Sequence, residues 1–210
     1  MSVDVPKRKL LVTDGIAIPN GGDYSFSIVL KKECVIEDVI NLLKCEKLKA
    51  NDIVLVNVGS YNISASQCGW DHELIKGKNA SELIEDIAVQ FKNSIDTIVK
   101  HTTERDLKVV FCGLLPLPIE QDYDKVPKEK RQLADMLSRL FVKCDKIIVD
   151  QNEGKYRTLN LEKYCTISGS KKYASGQLKI KRSNYNQGVL IQKKKKHLSL
   201  VISDYIRKLR

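Results

Sequence analysis

An α/β fold, with helices packed on a mainly parallel central sheet, is what the sequence predicts, and three observations lead there. Short, nearly continuous apolar runs alternate with segments of helical period through the first 150 residues. The runs lack the in-out alternation of a half-exposed sheet, as strands covered on both faces do. The chain has 210 residues, 42% apolar and 30% charged, which suits one core of ordinary size and excludes a disordered polyelectrolyte.

Taken in order, Lys9 to Thr13 (KLLVT) and Asp52 to Val58 (DIVLVNV) read as the first two strands, joined through an amphipathic helix around Glu37 to Lys47. From about Ser81 to Lys100, residues Leu83, Ile84, Ile87, Ala88, Phe91, Ile95, Ile98 and Val99 form one helical stripe, and Asn79 with Glu82 supplies a capping-box start. Leu107 to Gly113 (LKVVFCG) reads as a third strand. Pro127 opens a helix through Leu133, Met136, Leu137, Leu140 and Phe141, and Lys146 to Asp150 (KIIVD) reads as a fourth strand. Between Gln151 and Lys196 the periodicity fails, so this stretch is expected as basic surface loop. A last helix, at about 197–209, carries Leu198, Val201, Ile202, Tyr205, Ile206 and Leu209 on one face. The expectation is a single domain over 1–210.

Charge is segregated along the chain. The first 150 residues hold 21 Lys and Arg against 23 Asp and Glu, a net of −2, whereas the last 60 hold 15 against 3, a net of +12. Such a local field concentrates a polyanion on one surface, so nucleic acid is the partner class to weigh first. No apolar stretch approaches the roughly 20 residues of a membrane span, and Met1 to Leu10 has no signal-peptide run, so a soluble intracellular protein without a membrane partner is expected. The six cysteines form no Cys-x-x-Cys pair and several lie in apolar segments, which points to buried reduced thiols. Asp71, His72 and Glu73 are consecutive and lack metal-ligand spacing, and Gly77-Lys78 lacks the rest of a phosphate loop; neither metal nor cofactor is expected.

In an open α/β sheet, ligands bind beyond the carboxyl ends of the strands. Those exits are Asp14-Gly15-Ile16, Gly59-Ser60-Tyr61-Asn62 and Gly113-Leu114-Leu115-Pro116, and their order and spacing resemble the SGNH (GDSL-type) hydrolases. The resemblance implies a three-layer sandwich. It also implies three catalytic blocks: a Gly-Asp-Ser nucleophile turn, a Gly-x-Asn-Asp oxyanion turn, and a late Asp-x-x-His before the final helix. Here Asp14 matches, but Gly15 stands at the nucleophile, Tyr61 and Asn62 stand at the Asn and Asp, and Gln187 and Leu190 stand at the Asp and His. None of His72, His101 and His197 has an Asp three residues earlier, and Gly22-Asp23-Tyr24-Ser25 echoes the nucleophile motif with one residue too many. No catalytic residue is therefore assigned. Within the family, the chain resembles a catalytically empty branch, the C-terminal domain of an insect germ-plasm organiser. That likeness implies binding to 3′-untranslated regions of messenger RNA in the cytoplasm, in germ plasm and polar granules, alongside other germ-granule proteins.

The residues that would carry RNA interleave cations with aromatics: Lys171, Lys172, Tyr173, Lys179, Lys181, Arg182 and Tyr185, followed by Lys193 and Lys195. Cations neutralise phosphates and tyrosine rings stack on unpaired bases, which favours single-stranded or looped RNA. A solvated loop with incidental charge accounts for the same residues. Lys44 and Lys47, with Lys49, form a smaller cluster that either complements the dipole of the first helix or joins the basic loop in one surface. Two other readings stay open: a cryptic esterase using Ser25, Ser60 or His197, and a scaffold whose basic face binds acidic proteins.

Overall fold

Five strands pair in the order β2-β1-β3-β4-β5, all parallel, in the computed structural model, which describes residues 8–15, 26–63, 80–115, 128–149, 154–161, 185–186, 189–190 and 192–209. They are β1 (Lys9–Thr13), β2 (Ser27–Leu30), β3 (Ile53–Asn57), β4 (Lys108–Cys112) and β5 (Arg157–Leu159). The helices are α1 (Val39–Cys45), entered through a 3₁₀ turn at Ile36–Asp38, then α2 (Ala80–Glu104), α3 (Lys128–Val149) and α4 (Gln192–Lys208). A short antiparallel pair, β6 (Tyr185–Asn186) with β7 (Val189–Leu190), precedes α4.

The period of two in each strand sorts side chains to two separate cores. Leu10, Val12, Val54, Val56, Val109 and Phe111 join Val39 and Leu43 of α1, Phe91, Ile95 and Ile98 of α2 and Leu140, Cys144 and Ile148 of α3. The alternate residues Leu11, Ile53, Leu55, Val110 and Cys112 face the other way, against Leu198, Ile202, Ile206 and Leu209 of α4. The expected three-layer α/β sandwich is thus present, with the sheet between α1–α3 and α4.

The helix ends have local causes. Beyond α2, Asp106 takes a left-handed backbone (φ 53°), the Leu107 N–H bonds Thr102 O at 2.8 Å, and the Asp106 N–H bonds Thr103 O at 3.0 Å. This is a Schellman closure with Asp in the usual glycine place, and Leu107, which follows it, is buried. The amino edge of the sheet is tied by Asp52, whose carboxylate accepts the Arg8 N–H at 2.9 Å and the Lys49 N–H at 2.8 Å. Lys9 Nζ donates to Ile206 O at 2.8 Å, which places the C-terminal end of α4 at the same edge.

Three expectations are corrected, and two strands were not expected. The KIIVD run is no strand: residues 146–149 are the last turn of α3, where Ile147 and Ile148 extend the buried stripe of Leu140 and Cys144. A short apolar run reads equally as strand or helix until its neighbours are known. Edge strands β2 and β5, four and three residues long, carry too little pattern to be seen in advance. The last helix begins at Gln192, so Lys193 to Lys196 lie in its first turns and not in loop; lysine is a good helix former. Among the cysteines, Cys34, Cys112 and Cys144 are buried free thiols, but Cys45 is exposed; Cys68 and Cys165 lie outside the described residues. Asn79 and Pro127, expected at helix starts, also lie outside them. No helix among the described residues is long and apolar enough to cross a membrane.

Burial, reinforced by nearby carboxylates, pushes the Cys34 and Cys112 thiols up to about 12. At mildly alkaline pH an alkylating reagent should therefore label Cys45 in the native chain and reach Cys34 and Cys112 only after denaturation, since the thiolate is the nucleophile. Peptide mass mapping reads this; equal native labelling of the three would contradict the packing.

Candidate functional site

The parallel register brings three strand exits to one edge. Thr13 ends β1 beside Leu30 of β2 and Asn57 of β3, and the backbone bonds continue past the strands: the Lys31 N–H donates to Thr13 O at 3.1 Å, and the Asp14 N–H to Asn57 O at 3.3 Å. Gly15 follows with φ +85°, and a Cβ there would lie 2.8 Å from Leu30 Cδ1. Gly59 has φ +123° and would meet Leu114 Cδ2 at 2.9 Å, so the turn after β3 needs glycine both for conformation and for space.

The polar groups of this edge bond to one another. The Gly15 N–H donates to Thr13 Oγ1 at 3.1 Å, and the Thr13 hydroxyl donates to Asn57 Oδ1 at 3.1 Å. Ser60 is buried, and its Oγ accepts the Leu115 N–H at 3.1 Å; the Leu114 N–H donates to Asp145 Oδ1 at 2.9 Å. Asn62 turns toward α1: its Oδ1 accepts the Ile36 N–H at 2.8 Å and its Nδ2 donates to Glu37 Oε2 at 2.8 Å. An oxyanion site needs donors aimed at open space. The N–H groups of Gly15, Leu114 and Leu115 point into the protein's own acceptors.

Tyr61 is half-buried, and burial followed by the charges of Asp14 and Glu33 holds its phenol above the ordinary value. The same Asp14, itself 5% exposed, adds to the upward push on Cys112 and Cys34. Tyr61, Cys34 and Cys112 are thus all held in their neutral forms near neutral pH, chiefly by burial. Sequence reading marked Tyr61 only as a departure from a motif. What it missed was Leu30, an exposed leucine on an edge strand too short to recognise.

The predicted RNA residues fall at different places. Lys193 and Lys196 are exposed and Lys194 and Lys195 half-buried in the first turns of α4, which contain no acidic residue. Since the other end of α4 is bonded to β1 at the amino edge, this lysine run begins a helix length, roughly 25 Å, from that edge. Lys44 and Lys47 are exposed at the end of α1, where Arg105 donates to Leu43 O and Leu48 O at 3.4 Å each. Beside them, partial burial, and then the charges of Arg105 and Lys44, lower the affinity of His101 for its proton. These cations complement the negative end of the α1 dipole. Lys44 and Lys47 therefore do not share one face with Lys193 and Lys195. Tyr185 lies on β6, whereas Lys171, Lys172, Tyr173, Lys179, Lys181 and Arg182 lie outside the described residues, as do Ser25, His72 and Gln187. Leu190 lies on β7, and His197 is exposed on α4. Among the described residues no group of three or more His, Cys, Asp or Glu side chains could hold a metal ion.

The chain matches no protein-family model and no curated protein by sequence. Among solved structures, it is similar to a GDSL-like lipase from Bacteroides thetaiotaomicron, with TM-score 0.59 and 13% identity over 96% of this chain and 88% of that one. It is also similar to the C-terminal domain of the Drosophila Oskar protein, with TM-score 0.51 and 14% identity over 94% of this chain and 87% of that one. The lipase and the Oskar C-terminal domain thus share one architecture with this chain, and at such identities they establish the fold alone. The chain has an SGNH (GDSL-type) hydrolase-like fold.

Proposed function

We propose that this chain is a non-catalytic RNA-binding domain, similar in kind to the C-terminal domain of Oskar, that holds single-stranded or looped messenger RNA, in particular 3′-untranslated regions. On the same resemblance, its setting is cytoplasmic germ plasm and polar granules, with other germ-granule proteins as neighbours. The observation that carries the reading is the segregated charge, +12 in the last 60 residues against −2 before them. Its placement on the fold adds support. Four consecutive lysines occupy the positive end of the α4 dipole, an arrangement unfavourable by about 0.3–1 kcal/mol per close charge at low salt unless an anion neutralises both. A phosphate backbone is such an anion. Loss of catalysis is supported by Gly15 at the nucleophile position and by the inward-bonded N–H groups around it.

Four outcomes follow from this reading. Binding of unstructured RNA should weaken steeply with salt, and Lys193→Gln with Lys195→Gln should lower affinity and flatten the log–log salt slope by about 1.4, roughly 0.7 for each phosphate no longer neutralised. Charge reversal at Lys179, Lys181 and Arg182 should weaken binding further while the fold, followed by circular dichroism, persists. Affinity unmoved by both changes would overturn the site. Reversing Lys44 and Lys47 to Glu should change affinity less than twofold, as suits cations that serve the end of α1; a larger loss would enlarge the interface to the amino edge. Gly15→Ser should cost about 1–2 kcal/mol in urea unfolding, from its left-handed backbone, and should hydrolyse no simple acyl ester. Ester turnover in that variant would contradict the non-catalytic reading.

A further inference from the structure

We propose that the outward face of α4, a row of Lys193, Lys196 and Leu200 that runs on to Arg207, is the track along which one stretch of the bound RNA strand lies, with Leu200 as its apolar contact. The inference rests on the RNA reading and names a surface and a contact within it. The helical period assigns the row. Leu198, Ile202, Ile206 and Leu209 are buried with Leu11, Leu55 and Val110 of the sheet, and at about 100° per residue Lys193, Lys196, Leu200, Asp204 and Arg207 fall on the opposite side of the helix. All five are exposed, and Leu200, at 61%, is more exposed than any other large apolar side chain among the described residues. Lys193 and Lys196 stand one turn apart and Leu200 one turn further, so the row advances roughly 10 Å along the axis from first cation to leucine. Lys194 and Lys195, half-buried, flank it.

Charge selects the occupant. The helix carries six cations, Lys193 to Lys196, Arg207 and Lys208, against one carboxylate, Asp204, which is taken up by Arg207. The first half of the row is therefore cationic and its middle apolar. A protein partner would meet the leucine inside a ring of charge, whereas the cores of protein interfaces are depleted of charged residues. A single-stranded polyanion suits both parts: phosphates lie on Lys193 and Lys196, and an unstacked base or its ribose covers Leu200. Exposure of an apolar side chain is not enough by itself. Val89, 55% exposed on α2 in the opposite layer, stands one turn after the exposed Asp86, whose carboxylate repels phosphate.

The test separates the ionic from the apolar part of the row. Leu200→Ala should weaken binding of a short unstructured RNA about 3- to 10-fold with an unchanged log–log salt slope, because the lost contact is not ionic, whereas Leu200→Met should bind within about twofold of the original. Lys196→Gln should flatten the slope by about 0.7. Val89→Ala, the control on the other layer, should leave affinity and slope as they are. A benzophenone side chain in place of Leu200 should crosslink to the RNA on irradiation, and the same side chain in place of Val89 should not. RNA that binds with the expected salt dependence yet holds folded Leu200→Ala as tightly as the original, or never crosslinks at position 200, overturns the track and leaves the RNA reading standing. A chain that binds no RNA overturns both. Poly-glutamate that binds the original and loses affinity in Leu200→Ala, where RNA does not, overturns the track and gives this face to an acidic protein.

Discussion

Strands β1, β3 and β4 are buried on both faces, and a sheet with no solvent side must send its chain back across a covering layer between successive strands. Parallel pairing and the helical crossovers are two aspects of that requirement. It also divides the core in two, with Val12 and Val56 toward α1–α3 and Leu11 and Leu55 toward α4. Every strand exit then falls on one edge and the ends of α1, α2 and α4 fall on the other, so polar residues at the two edges meet opposite electrostatic surroundings. Lys44 and Arg105 lie at helix C-termini, where cations are stabilising; the lysines of α4 begin a helix, where they are not.

At the exit edge the same geometry supports two chemistries. Backbone donors on tight turns can face outward and stabilise a developing oxyanion, or face inward and stiffen the turns. In this chain the Thr13 hydroxyl, the Ser60 hydroxyl and the Asp145 carboxylate take up the N–H groups of Gly15, Leu115 and Leu114. The N–H groups on the turns of this edge are thus taken up by a local network of the protein's own acceptors. Leu30 stays exposed at this edge, while Tyr61 is half-buried, and burial followed by the charges of Asp14 and Glu33 holds its phenol above the ordinary value.

Much of this was legible in advance because strong patterns have one physical explanation. Three strands and all four helices follow from uninterrupted apolar runs and from stripes of period 3.6 such as Ile84, Phe91, Ile95 and Ile98. The failures occurred where a pattern had two explanations or too few residues. KIIV suits a buried strand and a buried helix turn equally, and only the continuation from Leu140 and Cys144 separates them. β2 and β5 gain order from their neighbours more than from their own residues. Lys193 to Lys196, amid a polar stretch, gave no periodic signal although lysine favours the helix they begin.

The sequence by itself determined the fold class, the charge segregation and the lack of a side chain at Gly15, because hydrophobic period, net charge and residue identity are properties of residues taken in order. Only the tertiary structure decided which groups share an edge: that Leu30 reaches the space above Gly15, that Tyr61 senses Asp14 and Glu33, and that the α1 lysines lie away from those of α4. Those relations depend on strand order and register. Both are set by burial of the whole sheet between its two helical layers, and no local run of residues carries them.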